Sequence, residues 1–322
     1  MRLEYKINAT KTINLFEKIS WIIKFFFGGI KMPDQYSPPT PINSDIKCHL
    51  KILSVGDLMY LGREFQASKL LRFWKKFDSH FKIGNLETPI NLNIPPSTTR
   101  DPLRFNGSPL FFELVNSLKF NSLSIANNHA YDQGRSGCLE TIKLLENHRI
   151  QVIGTDHQIQ ITDFKGLKIA QLGLTYGTNL KEDGVINIFN WMIDDSLYWE
   201  NLIKNIRANV DLIILSIHWG HEFETLPVFN QKQVAQKFID AGVDLILGHH
   251  PHLLQPLEKI QNDRGEALIL YSQGNFLNSS IPPKHREGHV FEIDVQIKPR
   301  IAFQYQYHQI KTNFLNAEIE VL

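Results

Sequence analysis

The sequence predicts an α/β fold of two packed sheets with helices outside, and three observations lead there. From about His49 onward, β-rich runs alternate with helical patterns, which is the signature of layered α/β architecture. The C-terminal stretches Val290 to Ile297 and Ile301 to Ile310 alternate as strands with no strong helix between them. Polar residues recur just past predicted strands: Asp57, Glu87, Asn128, His218 and His250. Such strand ends are where open α/β sheets place ligands.

Each element has a local reason. Leu50 to Val55 reads as a strand ending on Gly56-Asp57, and Phe81 to Ile83 as a short one ending on Gly84-Asn85-Leu86-Glu87. Residues 91–109 are polar and hold four prolines, so they read as a long loop over one face. Leu110 to Leu118 has helical apolar spacing, and Ser122 to Ala126 is a strand ending on Asn127-Asn128-His129. Arg135 to His148 reads as a helix with Cys138, Ile142 and Leu145 on one side. Lys168 to Leu174 is a strand, Asp194 to Ala208 a helix, and Asp211 to Ile217 a buried strand ending on His218-Trp219-Gly220. Gln231 to Ala241 is a helix stopped by Gly242. Val243 to Leu247 then leads into Gly248-His249-His250-Pro251-His252, and Leu268 to Tyr271 into Gly274-Asn275-Phe276.

Composition bounds the rest. The chain has 322 residues, 43% of them hydrophobic, with a formal net charge of +1. That predicts an ordinary globular core and no general nucleic-acid binding. The two cysteines, Cys48 and Cys138, are far apart and form neither a disulfide scaffold nor a thiolate metal site. Any metal must therefore be held by nitrogen and oxygen. The division expected is an N-terminal helical segment with a Pro-rich linker over 1–45, then one domain over 46–322. The apolar stretch Trp21 to Ile30 is short and contains a lysine, whereas a membrane span needs ~20 mostly apolar residues. Residues 13–30 read either as a membrane-surface helix or as a helix docked on the core. No convincing signal-peptide cleavage site follows, so the location is left open between cytoplasm and membrane surface.

The histidine cluster is the strongest chemical signal. Pro251 favours extended backbone around it, so His250 and His252, two apart, are expected to share one face and aim at one point. Glu87 and Asp57 offer anionic oxygens, Asn128 an amide oxygen, and His218, His250 and His252 nitrogens. This mixture suits two divalent ions, Mn, Fe or Zn, better than copper, calcium or magnesium. Paired ions activate water and polarise a phosphoryl oxygen, which makes a phosphoester the substrate class. His129 has two readings. It is a general acid for the leaving oxygen, or a loop histidine that hydrogen-bonds Asp132 and orients Asn128. Arg63, Arg100 and Arg104 are candidates for a substrate anion, Arg104 the best of them. Trp219 reads as packing. No nucleophile elbow, Walker A sequence or Rossmann glycine fingerprint is present.

Taken in order, Gly56-Asp57, Gly84-Asn85-Leu86-Glu87-Thr88-Pro89, Ala126-Asn127-Asn128-His129, His218-Trp219-Gly220, Gly248-His249-His250-Pro251-His252 and Gly274-Asn275-Phe276 resemble the CapA (poly-γ-glutamate capsule synthesis) family of the calcineurin-like metallophosphoesterase superfamily. The resemblance spans about Lys51 to Leu277. It implies a four-layer αββα sandwich of two mixed β-sheets flanked by helices, with a dinuclear site at the strand ends. By position it implies Glu87 as bridging carboxylate, Asn128, His218 and His250 on one metal, and Asp57 and His252 on the other. His129, with Asp132, takes the leaving-group role, and Asn85, Arg104 and Asn275 are the substrate-binding candidates. His249 has at most a supporting role. One departure stands out: Met59 occupies the position of a first-motif histidine, and a thioether is a poor ligand for such ions. His221 and Glu222 are the possible substitutes. The function implied is hydrolysis of a phosphoester in the synthesis of an anionic surface polymer. The alternative is a non-catalytic accessory protein for synthesis or export of that polymer.

Overall fold

Apolar runs able to bury on both faces become the central strands of two sheets. In the computed structural model, which describes residues 23, 46–99, 104–182, 184–189, 196–279 and 283–322, the first strands are β1 (Leu50–Leu58), β2 (Phe81–Leu86), β3 (Ser122–Ser124) and β4 (Gln151–Ile153). Next come β5 (Gln160–Phe164), β6 (Leu167–Thr175), β7 (Leu212–His218), β8 (Leu245–His249), β9 (Leu257–Asn262) and β10 (Gly265–Leu270). The chain closes with β11 (Asn275–Leu277), β12 (Glu287–Gln296), β13 (Ala302–Thr312) and β14 (Ile319–Val321). One sheet has the order β14-β13-β12-β1-β2-β3-β4, with β11 also on β1, and the other β5-β6-β7-β8-β10-β9. Both are mixed: β1 to β4 run parallel and β12 to β14 antiparallel, while β6, β7, β8 and β10 are parallel with antiparallel strands at each edge.

Alternation along each strand assigns its side chains to one of two cores. On β7, Leu212 and Ile214 face the other sheet, packing with Ile52, Phe81, Ile83 and Leu247. Ile213, Leu215 and Ile217 face outward, against Trp199 and Ile203 and against Val234 and Phe238. The helices α1 (Ser68–Trp74), α2 (Pro109–Ser117) and α3 (Gly134–Asn147) cover the outer face of the first sheet through Leu70, Val115 and Leu145. Those outer residues of the second sheet lie under α4 (Ser196–Ile206) and α5 (Phe229–Ala241). The layers are therefore helix, sheet, sheet, helix, as the resemblance implies. Each such side chain contributes roughly 1.5–3 kcal/mol by burial.

Local chemistry sets the helix ends. Ser108 Oγ accepts from the Phe111 N–H at 3.0 Å, and Pro109 occupies the first turn, so α2 starts there. Gly242 ends α5 with φ 128° while its N–H bonds Phe238 and Ile239 carbonyls.

Several elements differ from the sequence reading. Helix α1 and the strands β4, β5, β9, β11 and β14 have no signal in it. β5 and β9 are edge strands carrying polar residues, so their periodicity is weak. β1 runs through Asp57 to Leu58 because β2 and β11 pair with it on either side. Apart from Ile23, the expected N-terminal segment, the 13–30 helix and the linker lie outside the described residues, as does Arg100. Among the described residues no helix is long and apolar enough to cross a membrane.

Candidate metal centre

The parallel strands of both sheets deliver their chemistry to one place. Asp57 is the penultimate residue of β1, Asn85 lies in β2 with Glu87 just beyond it, Asn128 and His129 follow β3, His218 ends β7, and His249 to His252 leave β8. Two glycines permit the approach. A Cβ on Gly56 would lie 1.9 Å from the Gly274 carbonyl oxygen, and one on Gly248 would lie 2.0 Å from that of Tyr271.

Glu87 sits at the centre with 0% exposure. Its Oε1 lies 3.7 Å from His252 Nε2, 3.8 Å from His218 Nε2 and 4.0 Å from His129 Nε2. No donor among the described residues hydrogen-bonds either carboxylate oxygen. A buried carboxylate without a donor is costly unless a cation faces it. Burial pushes the Glu87 carboxyl well above its ordinary range; nearby His252 opposes this, and the Asp57 and Glu222 carboxylates add to it.

Asp57 is equally buried but fully partnered. Its Oδ1 accepts from Asn85 Nδ2 at 2.8 Å, and its Oδ2 from the His250 N–H at 3.3 Å. His249 Nδ1 approaches Oδ1 to 3.2 Å, within ion-pairing distance though without hydrogen-bond geometry. Burial alone would raise Asp57, but His249 and His252 hold its carboxyl well below the usual range. Burial opposes charge on His252, yet Glu87 and Asp57 lift it to about 10. Burial lowers His250 to about 4 and takes His218 well below its ordinary value. These two imidazoles are thereby neutral, the form that ligates metals.

His218 Nε2 and Asn128 Oδ1 lie 2.9 Å apart. Two ligands at right angles on one cation, with bonds of ~2.1 Å, would stand roughly 3 Å apart. The donor atoms of Asp57, Glu87 and His218 lie within 4.8 Å of one another, as do those of Glu222, His250 and His252. The residues present thus fit a cation. The pairs read by position also stand together: His252 Nδ1 lies 3.4 Å from Asp57 Oδ2, and the His218 and His250 ring centroids are 4.6 Å apart.

His250 and His252 converge for a different reason than expected. Their φ values are 94° and 58°, so the segment is not extended and the shared-face argument is corrected. The left-handed turn around Pro251 brings the two ring centroids to 6.1 Å. Strain of this kind concentrates at functional sites.

The supporting residues are more specific than the sequence indicated. Asn85 and Asn275, expected at the substrate, are buried and already hydrogen-bonded. Asn85 holds Asp57, while Asn275 Oδ1 lies 3.1 Å from His252 Nδ1 and its Nδ2 donates to the His285 carbonyl. These bonds hold Asp57 and His252 in place, and Asn275 leaves His252 Nε2 facing Glu87. Met59 is buried, with Asn278 Nδ2 3.3 Å from its sulfur. Arg63 donates to the Phe314 and Leu315 carbonyls, so its guanidinium is committed to the C-terminal loop. Arg104 is exposed, and its carbonyl accepts from Ser97 Oγ. Trp219 is buried against Tyr271, as packing.

His129 is held on three sides. Its Nδ1 is 2.6 Å from Asp132 Oδ2 and 3.2 Å from Asn179 Nδ2, and Phe105 stacks on the ring with centroids 4.0 Å apart. Phe105 also donates its N–H to Asp132 Oδ2 at 2.8 Å. Neither Phe105 nor Asn179 carried a sequence signal, because a stacking ring and an amide in loops belong to no spacing pattern.

A model of the family described as bacterial capsule synthesis protein PGA_cap matches residues 51–280. The capsule biosynthesis protein CapA of Bacillus anthracis is 28% identical over 252 residues, 71% of this chain and 59% of that protein. The PGA biosynthesis protein CapA of Bacillus subtilis (strain 168) is 27% identical over 206 residues, 62% of this chain and 53% of that protein. A Mycobacterium tuberculosis protein (strain CDC 1551 / Oshkosh) named "Probable polyglutamine synthesis accessory protein" is 26% identical over 212 residues, covering 60% and 54%. The chain spans little more than half the length of these relatives. The crystal structure of a 5'-nucleotidase from Candida albicans SC5314 aligns with a TM-score of 0.44 at 12% identity, covering 83% of this chain and 52% of that one. With the family match reaching from β1 past β11, across every residue placed at the centre, the chain belongs to the bacterial capsule synthesis protein family PGA_cap.

Proposed function

We propose that this chain is a metal-dependent phosphoester hydrolase acting in the synthesis of a polyglutamate-type capsule polymer. One observation carries the reading: a fully buried Glu87 with no hydrogen-bond donor among the described residues, ringed by three imidazole nitrogens at 3.7–4.0 Å. Two divalent ions of the Mn, Fe or Zn type would be held by Asp57, Glu87, Asn128, His218, His250 and His252. Such ions supply Lewis acidity at a phosphoryl oxygen and a nucleophile at neutral pH.

The chain's own residues do the rest. Asp132 fixes His129 through Nδ1, so Nε2 is the atom presented beside Glu87 and the one that gives a proton to the leaving oxygen. The stacked Phe105 shields one face of the imidazole. Asn85 and Asn275 keep Asp57 and His252 aimed inward. The test is metal analysis of protein purified without chelator, followed by hydrolysis of bis-p-nitrophenyl phosphate and p-nitrophenyl phosphate with added Mn, Fe or Zn. Bound ion and turnover that disappear together in Glu87→Ala support the reading. No ion under any loading condition overturns it.

A second reading has a specific observation behind it. Met59 offers no imidazole beside Asp57 and is buried against Asn278. A chain weakened at that site would serve as a non-catalytic accessory protein, the word used for the mycobacterial relative. Bound metal without turnover on either ester, in wild type and His129→Ala alike, would favour it.

A further inference from the structure

We infer that Glu222 completes the solvent-facing half of the metal centre with His250 and His252, beside the enclosed half of Asp57, Glu87 and His218, which His252 touches at 3.4 and 3.7 Å. The inference rests on the metal-dependent reading above. The donor atoms of the three residues lie within 4.8 Å of one another, and so do those of the enclosed group. The two groups differ in access: Asp57, Glu87 and His218 are all buried, whereas Glu222 and His250 are partly open to solvent.

Glu222 is placed there by its neighbours. The chain leaves β7 at His218 and turns at Gly220, whose φ of 82° suits glycine. Phe223, itself at φ 65°, donates its N–H to the Pro251 carbonyl at 2.9 Å, tying the loop to the His250–His252 turn. Gln255 Nε2 donates to the Glu224 carbonyl at 3.1 Å, one residue further on. The Phe223 ring stacks on His285 at 4.6 Å and lies 5.9 Å from His252. Glu222 therefore sits between Gly220 and two anchored residues.

The histidines are arranged to receive an ion. His250 Nδ1 is buried with no hydrogen-bond partner. Asn275 and Asp57 face His252 Nδ1, so Nε2 is the ring nitrogen turned to the centre, the one that ligates once an ion displaces its proton. Two imidazoles and one carboxylate with open positions form a donor set for a borderline divalent ion rather than for calcium or magnesium. Such an ion keeps free positions for water or for a substrate oxygen, and it exchanges with solvent faster than the enclosed one.

The experiment uses the full chain loaded with Co²⁺ or Mn²⁺ alone, with ion content read by elemental analysis and release followed after addition of EDTA. Wild type is expected to hold two ions per chain and to release one in a fast phase. Glu222→Gln is expected to hold one ion and to lose the fast phase, and His250→Asn to behave alike. Thermal melts check that both variants fold. Glu222→Gln that keeps two ions with wild-type release overturns the Glu222 site alone. A wild type that holds a single ion, unchanged in Glu222→Gln, does the same. A wild type that binds no ion overturns the metal-dependent reading as well.

Discussion

Phe105 lies flat on His129, with ring centroids 4.0 Å apart and planes 20° from parallel, while its own N–H donates to the aspartate that holds the same imidazole. The loop over 91–109, which begins as a polar proline-rich stretch, thus ends as one wall of the site. Phe105→Leu keeps apolar volume and removes the stack. Turnover of bis-p-nitrophenyl phosphate is expected to fall about tenfold, the scale of a lost 1.4 kcal/mol of transition-state stabilisation, with ion content unchanged. A drop in ion content would place Phe105 in metal binding instead.

Glu87→Gln should separate the two contributions of the central carboxylate. Without metal, the variant is expected to melt close to the wild-type temperature, because neither Glu87 oxygen has a hydrogen-bond donor to lose among the described residues. With Mn²⁺ at roughly 100 times its dissociation constant, wild type should gain about 2.7 kcal/mol. The variant should gain little. Calorimetry with and without metal reads both differences.

Gly248→Ala is expected to abolish metal binding without touching a ligand. The new Cβ would stand 2.0 Å from the Tyr271 carbonyl, a backbone atom of the neighbouring segment that cannot swing aside. Overpacking of this kind costs about 1–3 kcal/mol or more, and the shift propagates to His249 and His250 next in the chain. Ion content together with the melting temperature checks it.

Away from the site, Glu292 is a pH-dependent stabiliser. Burial alone would raise its carboxyl, but hydrogen bonds from His80 and Gln306 hold it below the ordinary 4.5. A depressed carboxylate contributes stability above its unfolded value and loses it as pH falls through the folded one. Glu292→Gln should therefore destabilise by roughly 1–3 kcal/mol near neutral pH. The difference from wild type should shrink below pH 4.5, as read by urea unfolding at several pH values.

Much of this architecture is legible residue by residue. The strands β1, β7 and β8 are short, mostly apolar and carry Gly56-Asp57, His218 and Gly248-His249 near their ends, so their burial and their polar ends follow from composition alone. Gly242 marks a helix end for a backbone reason that needs no neighbour. Harder to read were β5 and β9, because an edge strand faces water and its polar residues blur the alternation. The extended backbone expected around Pro251 was wrong because the loop's contacts, such as Phe223 to the Pro251 carbonyl, impose a left-handed turn there.

Residue type and order along the chain determined that acids, amides and imidazoles would stand at strand ends, since hydrophobic burial forces the strands and leaves their ends for polar groups. Which of them meet was decided only by tertiary structure. His218 comes within 3.8 Å of Glu87, 131 positions away, and His249 within 3.2 Å of Asp57, because two separate sheets pack through a shared core. Partner choice at that range depends on how sheets register in space. No local propensity encodes that, and so only the fold shows that Asn85 meets Asp57, Asn275 meets His252, and Phe105 and Asn179 close around His129.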